Sequence, residues 1–253
     1  MKARVNPLPT LLWLELRKQL GWLMLLGGIL LLSLVVALRV RQEAMGQPLD
    51  SVGGLFAGQF AVFITAAFAG FLLLLAALGR AGRVESWLLL SVPPGLIHQL
   101  ARFLFAGAVL LVFAEALAGL FWWGTRGFGL ELSLPGVLGL ALYGVILGLP
   151  LLALALLGQT LTWAYGLSRL GWLSGAALVL GIVALLGWFF ELSARTAYAF
   201  LPVWPFPAVR FQGVDLLAEA PVAGLPGEPL LYALLLTALG IVLAGRIWDE
   251  VEA

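Results

Sequence analysis

The chain contains no cysteine and a single histidine, His98. Without thiolates there is no disulfide staple, no thiolate metal centre and no thioether haem attachment, and one histidine leaves little scope for histidine-based catalysis. Charge is scarce as well. Only 11% of residues are charged, and 14 basic against 13 acidic side chains leave a net charge of +1. The basic residues are scattered between apolar runs, so no patch invites nucleic acid. No G-x-x-x-x-G-K-[ST] stretch occurs, so the loop that wraps backbone amides around a nucleotide phosphate is missing. With no paired carboxylates inside the apolar runs either, the sequence reads as a non-enzyme that needs no metal and no cofactor.

What the chain has is apolar length. Its 253 residues are 62% hydrophobic with a mean hydropathy of +1.08. A soluble domain cannot hide that much apolar surface. Six runs stand out: Leu20–Leu38, Gly53–Leu78, Phe103–Trp123, Gly136–Tyr165, Gly171–Phe190 and Leu230–Gly245. Each approaches the length a helix needs to cross about 30 Å of hydrocarbon at about 1.5 Å per residue. The reading is an all-α membrane protein with six transmembrane helices, one transmembrane domain over 1–253. The first run is too long for a signal peptide and ends in Ala37-Leu38-Arg39-Val40-Arg41 rather than a small-residue cleavage site. The fourth carries Pro150 near its middle, which predicts a kink or a broken helix. The sixth is short, between Pro229 and Arg246.

Six spans put both termini on one side. With the N-terminus inside, nine lysines and arginines fall on the inner side, Lys2, Arg17, Lys18 and Arg83 among them, against five outside, such as Arg39, Arg41 and Arg210. That bias places a multi-pass protein in the cell's inner (plasma) membrane with both termini in the cytoplasm.

Before the first span, Pro7-Leu8-Pro9-Thr10 leads into a helix over about 10–20, with Thr10 as N-cap. Leu12, Trp13, Leu16 and Leu20 form an apolar stripe; Glu15, Lys18 and Gln19 lie off it, and Arg17 sits near its edge. Such a helix lies at headgroup level, or else the segment is a cytoplasmic flank supplying positive charge.

Arg80–Arg102 is a polar interruption between the second and third runs. Val84, Trp87, Leu88 and Ser91 fall at helical spacing, and Pro93-Pro94 must stop that helix. Leu96, Ile97, Leu100 and Leu104 then start a second helix that enters the third span. The helix–break–helix is either a knob that presents itself to a partner or an ordered loop tying two spans together.

Gly82-Arg83-Val84-Glu85-Ser86-Trp87-Leu88-Leu89-Leu90-Ser91-Val92-Pro93 resembles the cytoplasmic element between the second and third spans of type-2 ABC transporter permeases. Those proteins have an arginine, then Gly-Thr-Leu-Glu, two leucines, a small residue and a proline, with a basic residue where the third span starts; Arg102 has that place here. Val84 and Ser86 depart from the pattern, and Pro94-Gly95 adds a second break. Leu14-Glu15-Leu16-Arg17-Lys18 is similar to the family's interfacial elbow helix. The resemblance implies that a separate ATPase subunit docks on the 80–102 element, as a coupling helix, and on the elbow. It further implies a unit of two ATPase copies and two permease chains, identical or sister, in which nucleotide-driven closure alternates the spans between inward- and outward-open states. Arg83 and Glu85 would make polar contacts to the ATPase, Trp87 and Leu88 would pack in its groove, Pro93 would close the element, and Glu15, Arg17 and Lys18 would serve from the elbow. Tryptophan also gathers at headgroup depth in any membrane protein, so Trp87 has an anchoring reading as well. Alternatives are a haem-exporter permease of cytochrome c maturation and a non-transporting membrane assembly subunit.

Glu115 is the one acid deep inside a span. A charge there costs about 3 kcal/mol on insertion scales. It therefore marks a substrate path or a subunit interface, or it is a protonated or locally hydrogen-bonded carboxyl. Gln159, Thr160 and Thr162 read as helix–helix glue. Gly166-Leu167-Ser168-Arg169 is a connector or a small second contact. Glu191–Glu228 is too rich in proline and aromatics to span, which suggests a re-entrant or interface-lying stretch. The resemblance implies short outer helices there.

Overall fold

The computed structural model describes residues 7–44, 49–80, 95–126, 130–166, 172–197, 199, 204–205, 209–211, 214–215 and 224–252. Among the described residues seven helices carry the fold: α1 (Pro7–Lys18), α2 (Leu20–Ala44), α3 (Leu49–Arg80), α4 (Gly95–Thr125), α5 (Leu134–Ala164), α6 (Trp172–Thr196) and α7 (Glu228–Glu252). Each apolar run of the sequence coincides with one of α2–α7, to within a residue at Gly171 and Tyr165. The helices continue past the runs, because hydropathy marks the hydrocarbon segment while backbone hydrogen bonding carries the helix on into the headgroups. The extension is longest in α4, which begins at Gly95, ahead of the run that starts at Phe103, and α7 likewise passes Arg246 and ends at Glu252. Among the described residues five helices are long and apolar enough to cross a membrane: Leu20–Ala44, Gly54–Leu78, Gly95–Thr125, Leu134–Ala164 and Glu228–Glu250. Their outer faces carry large apolar side chains such as Met24, Leu31, Leu32 and Phe68, which lie open to the surroundings. A multi-pass membrane protein follows from that pattern.

Short strands gather at one end. β1 (Leu130–Leu132) precedes α5, and β2 (Trp204–Pro205), β3 (Val209–Phe211), β4 (Val214–Asp215) and β5 (Gly224–Leu225) lie between α6 and α7. β1 pairs antiparallel with β3, setting Leu130 opposite Phe211 and Glu131 opposite Arg210; β3 pairs with β4, and β2 with β5. The α4–α5 connection is thereby hydrogen-bonded to the α6–α7 connection, so both lie at the same end of the bundle. Tyr143 donates to the Pro226 carbonyl (2.9 Å), and the Arg41 guanidinium sits 4.6 Å from the Trp123 ring centroid, tying α5 to α7 and α2 to α4 at this strand end. The short outer helices implied for 191–228 are absent among its described residues beyond α6, where two-residue and three-residue strands stand instead. Proline at 202, 205 and 207 removes the amide donors a helix would need.

The expected break at Pro150 does not occur. α5 runs as one helix from Leu134 to Ala164 with Pro150 buried inside it. Proline forfeits only the donor to the Ile146 carbonyl, and a helix packed on both sides by neighbours tolerates that loss. The helix ends at Tyr165, and Gly166 takes a left-handed conformation at φ 61° while its N–H bonds the Trp163 carbonyl.

α4, α5 and α7 form the centre. α7 turns a stripe of small side chains inward, Ala233, Thr237, Gly240 and Ala244, and Gly240 lies against Ala153 of α5. Near the end opposite the strands, called the base below, α4 and α7 cross at Gly95 and Gly245. A Cβ on Gly245 would stand 2.7 Å from Cα of Leu96, and one on Gly95 2.6 Å from the Gly245 carbonyl oxygen. These are backbone atoms, so neither side can yield without moving a helix.

Gly245→Ala should therefore lower stability in detergent by about 1–3 kcal/mol, the usual range for overpacking. Gly28→Ala, where no atom lies within 4 Å of the added carbon, should cost nothing. Equal unfolding midpoints for the two variants would contradict the close crossing.

Candidate functional site

The base of the bundle holds the molecule's main concentration of buried polar side chains. Two carbonyls near Arg80, where the described stretch of helix α3 stops, accept from outside the helix. Two side chains from other helices supply donors. Arg102 of α4 donates through Nη2 to the Leu78 carbonyl (2.9 Å), and Gln19, between α1 and α2, donates through Nε2 to the Ala77 carbonyl (3.4 Å). A guanidinium at this position also meets the negative end of the α3 dipole. Arg102 reaches across to α5 as well, donating to Oε1 of Gln159 (2.7 Å). One turn earlier on α4, Gln99 donates to the Thr160 hydroxyl (3.3 Å), which itself donates to the Leu156 carbonyl (2.9 Å). Arg102 is 1% exposed and Gln99 0%. Burial of that depth strengthens each bond and raises the cost of losing one.

The first turn of α4 is fixed from a third direction. The Gly95 N–H donates to Oδ1 of Asp249 on α7 (2.6 Å), a carboxylate at a helix N-terminus, where the dipole favours it. His98 stacks on Trp248 with centroids 4.8 Å apart, and Trp248 stacks on Trp163 of α5 at 4.9 Å. The end of α3 and the start of α4 are thus clamped to α5, to α7 and to the α1–α2 joint. Residues 81–94 connect these two clamped ends.

The site residues expected from sequence divide into three groups. Arg83, Glu85, Trp87, Leu88 and Pro93 lie outside the described residues, as does 167–171 of the α5–α6 connector. On α1 the apolar stripe is present but the helix is turned so that Trp13, Leu16 and Leu20 face outward. Its polar face meets protein rather than water: Glu15 is 2% exposed and Gln19 5%, with Lys18 Nζ 3.5 Å from Glu15 Oε1. Arg17 is exposed and lies 5.5 Å from the Trp13 ring centroid. Of Glu15, Arg17 and Lys18, only Arg17 is thus fully on the surface of the single chain.

Glu115 forms the third group. It shares a face of α4 with Leu104, Ala108 and Val112, all exposed, and is itself half-buried. It stands ten residues before Thr125, about 15 Å below the strand end of the helix at 1.5 Å per residue. The face that carries it points away from α3, α5 and α7.

Gln19, Gln99 and Arg102 act together at the base, yet sequence reasoning singled out none of them as a site. The spacing of Gln99 and Arg102, three apart at the start of an apolar span, sets them on one helix face and was the available signal. That Gln19 and Arg102 meet carbonyls of α3 depends on backbone positions that no side-chain pattern encodes. No family model, no curated protein and no solved structure matches this chain.

Removing Arg102 takes away a charged donor from the Leu78 carbonyl and from Oε1 of half-buried Gln159. Arg102→Ala should lower stability by about 3 kcal/mol, near the worth of hydrogen bonds to a charged group. Arg102→Lys should fall between, because one ammonium cannot serve both acceptors with the same fork geometry. Denaturant unfolding in detergent checks the order; an alanine variant as stable as wild type would remove the clamp from the account.

Proposed function

We propose that the chain is the membrane-spanning permease subunit of an ABC-type exporter, moving its substrate by alternating access driven by a separate ATPase subunit. The observation that carries this reading is the position of residues 81–94 between two helix ends clamped by buried polar groups. A partner that pushes on this segment pushes on the base of α3 and α4 directly, and through Arg102, Gln99 and Asp249 on α5 and α7. A floppy connection would dissipate such a push; a clamped one transmits it. The likeness of 82–93 to the coupling element of type-2 ABC permeases gives the partner its class.

In this reading α6, with the same 25-residue length as α2 and α7, is the sixth span. The base faces the cytoplasm with both termini, and the strand end faces outward. α1 is the elbow helix, held to the bundle by Glu15, Lys18 and Gln19, with Arg17 left free for the ATPase. Arg83 and Glu85 make polar contacts to that subunit, Trp87 and Leu88 fill its groove, and Pro93 ends the element. Two permease chains and two ATPase copies complete the unit. Glu115 lies at the contact between permease chains, because its face of α4 is uncovered in one chain and a carboxyl at that depth needs protein or water beside it.

Orientation is tested with single cysteines, which the natural chain lacks altogether. Glu43 at the end of α2 and Glu250 near the end of α7 are both exposed, at opposite ends of the bundle. Glu43→Cys should react with an impermeant thiol reagent in intact cells and Glu250→Cys only after permeabilisation; the reverse result inverts the topology.

Docking is tested by Glu85→Arg combined with Trp87→Ala. Loss of a buried aromatic anchor costs about 2 kcal/mol or more, so binding near the dissociation constant should fall more than about tenfold. The measurement is co-purification of the ATPase and its substrate-stimulated hydrolysis. Full binding by a normally folded double variant would make 81–94 an ordinary loop.

A further inference from the structure

Helices α3 and α5 both pack on α4, but towards the strand end they diverge and leave a groove of about 590 Å³ between them. Every lining residue is apolar, and five are phenylalanines: Phe60, Phe63, Phe68, Phe71 and Phe121. Its lips, Phe60, Ile64 and Phe68 of α3 and Leu140 of α5, are exposed, so the groove opens sideways into whatever surrounds the bundle. On α5 the lining includes Gly144, where no atom lies within 4 Å of the place a Cβ would take.

The depth of the groove is specific. On α4 the lining runs from Phe121 to Leu110, and Leu110 is the midpoint of that helix; on α5 it runs from Val137 to Leu151, two residues past the midpoint. Below this level Leu74 and Leu78 of α3 close against Phe103 and Ala106 of α4 and Leu152 and Leu156 of α5, forming a floor. The upper end lies one turn below Arg126, whose guanidinium sits 3.8 Å from the Trp122 ring centroid, a pairing suited to headgroup depth. On α3 the lining runs from Phe60 to Phe71, past that helix's midpoint, so the groove lies towards the strand side and ends near the middle of the bundle.

We propose that this groove binds one acyl chain of a bilayer lipid drawn from the leaflet on the strand side. The reason is a match of length and chemistry. From Phe121 to Leu110 the lining covers about 17 Å, and one leaflet contributes about 15 Å of hydrocarbon. A transmembrane helix from a second copy would cross both leaflets and collide with the floor, whereas a single acyl chain ends there. A polar ligand would find no hydrogen-bond partner on the walls. Phenylalanine faces and the gap left at Gly144 give the chain a slot narrower than the open lipid-facing surface of α2. The inference rests on the membrane-spanning reading alone and is independent of the ATPase.

The test uses the full chain in nanodiscs of phosphatidylethanolamine and phosphatidylglycerol, with a trace of phosphatidylcholine carrying a diazirine near the end of one acyl chain. After irradiation, adducts are mapped by mass spectrometry on the groove floor and walls, at Ala114, Ala118 and Gly148, and on the exposed face of α2 at Met24 and Leu31. Groove residues should label severalfold above the α2 face. Gly144→Phe, whose Cβ enters open space and whose ring takes up room in the slot, should cut groove labelling about tenfold, the effect of excluding two methylenes, and leave α2 unchanged. Ala118→Phe fills it from the opposite wall and should act alike, so a folding defect in one variant does not decide the matter. Groove labelling no higher than α2 would mean ordinary annular lipid and overturn the site. An unlabelled groove, or cross-links there to a second copy, would overturn it in favour of a protein occupant.

Discussion

Arg102 is the side chain on which the rest of the arrangement depends. It carries a positive charge into a place with almost no solvent, and it is held there by carbonyl and amide oxygens rather than by a carboxylate. One guanidinium thus binds the last described turn of α3 and reaches α5 while belonging to α4. Gln19 adds a bond to the same turn from the α1–α2 joint. Loss of such bonds in a buried place is penalised more in a low-dielectric environment than in water.

The two ends of the bundle are built differently. At the base, polar bonds, a carboxylate cap on α4 and the stack of His98, Trp248 and Trp163 lock helices to one another. Towards the strands the helices separate, apolar contacts replace polar ones, and α3 and α5 leave a groove between them. A body that is stiff at one end and open at the other suits rocking about the base, with displacement growing towards the strand side. The glycine crossing of α4 and α7 places a close backbone contact at the stiff end. The same contrast gives the proposed permease reading its mechanical sense.

Much of the fold was legible because hydrocarbon imposes a simple rule on sequence. The six apolar runs each fall on one helix, and five of these helices are long and apolar enough to cross a membrane. Side-chain direction was less legible. The stripe of Leu12, Trp13, Leu16 and Leu20 was read correctly as one face, yet in a membrane protein an apolar face can turn to lipid while Glu15 and Gln19 turn inward. Hydropathy alone has no way to choose between these. Of the two outcomes expected at Pro150, a kink or a broken helix, the break does not occur, because neighbouring helices hold α5 together. The short strands after α6 were missed: β3 pairs with Leu130–Leu132 some eighty residues away, and β2 and β5 pair with each other across the connection. At the site, Gln159 and Thr160 were read as glue between helices and do bond across them. Arg102 and Gln19 were not seen as their partners in the clamp, because the acceptors they meet on α3 are backbone atoms.

The central claim is that residues 81–94 deliver an ATPase's movement to the clamped base, and site-directed photo-crosslinking in native membranes tests it most directly. A photoreactive amino acid would replace Trp87 in one variant and Arg17 in another, and the adducts would be identified by mass spectrometry. The account predicts that both positions capture the same subunit, one carrying the nucleotide-binding G-x-x-x-x-G-K-[ST] loop that this chain lacks. Adducts formed only with lipid or with the chain itself, from both positions, would contradict it.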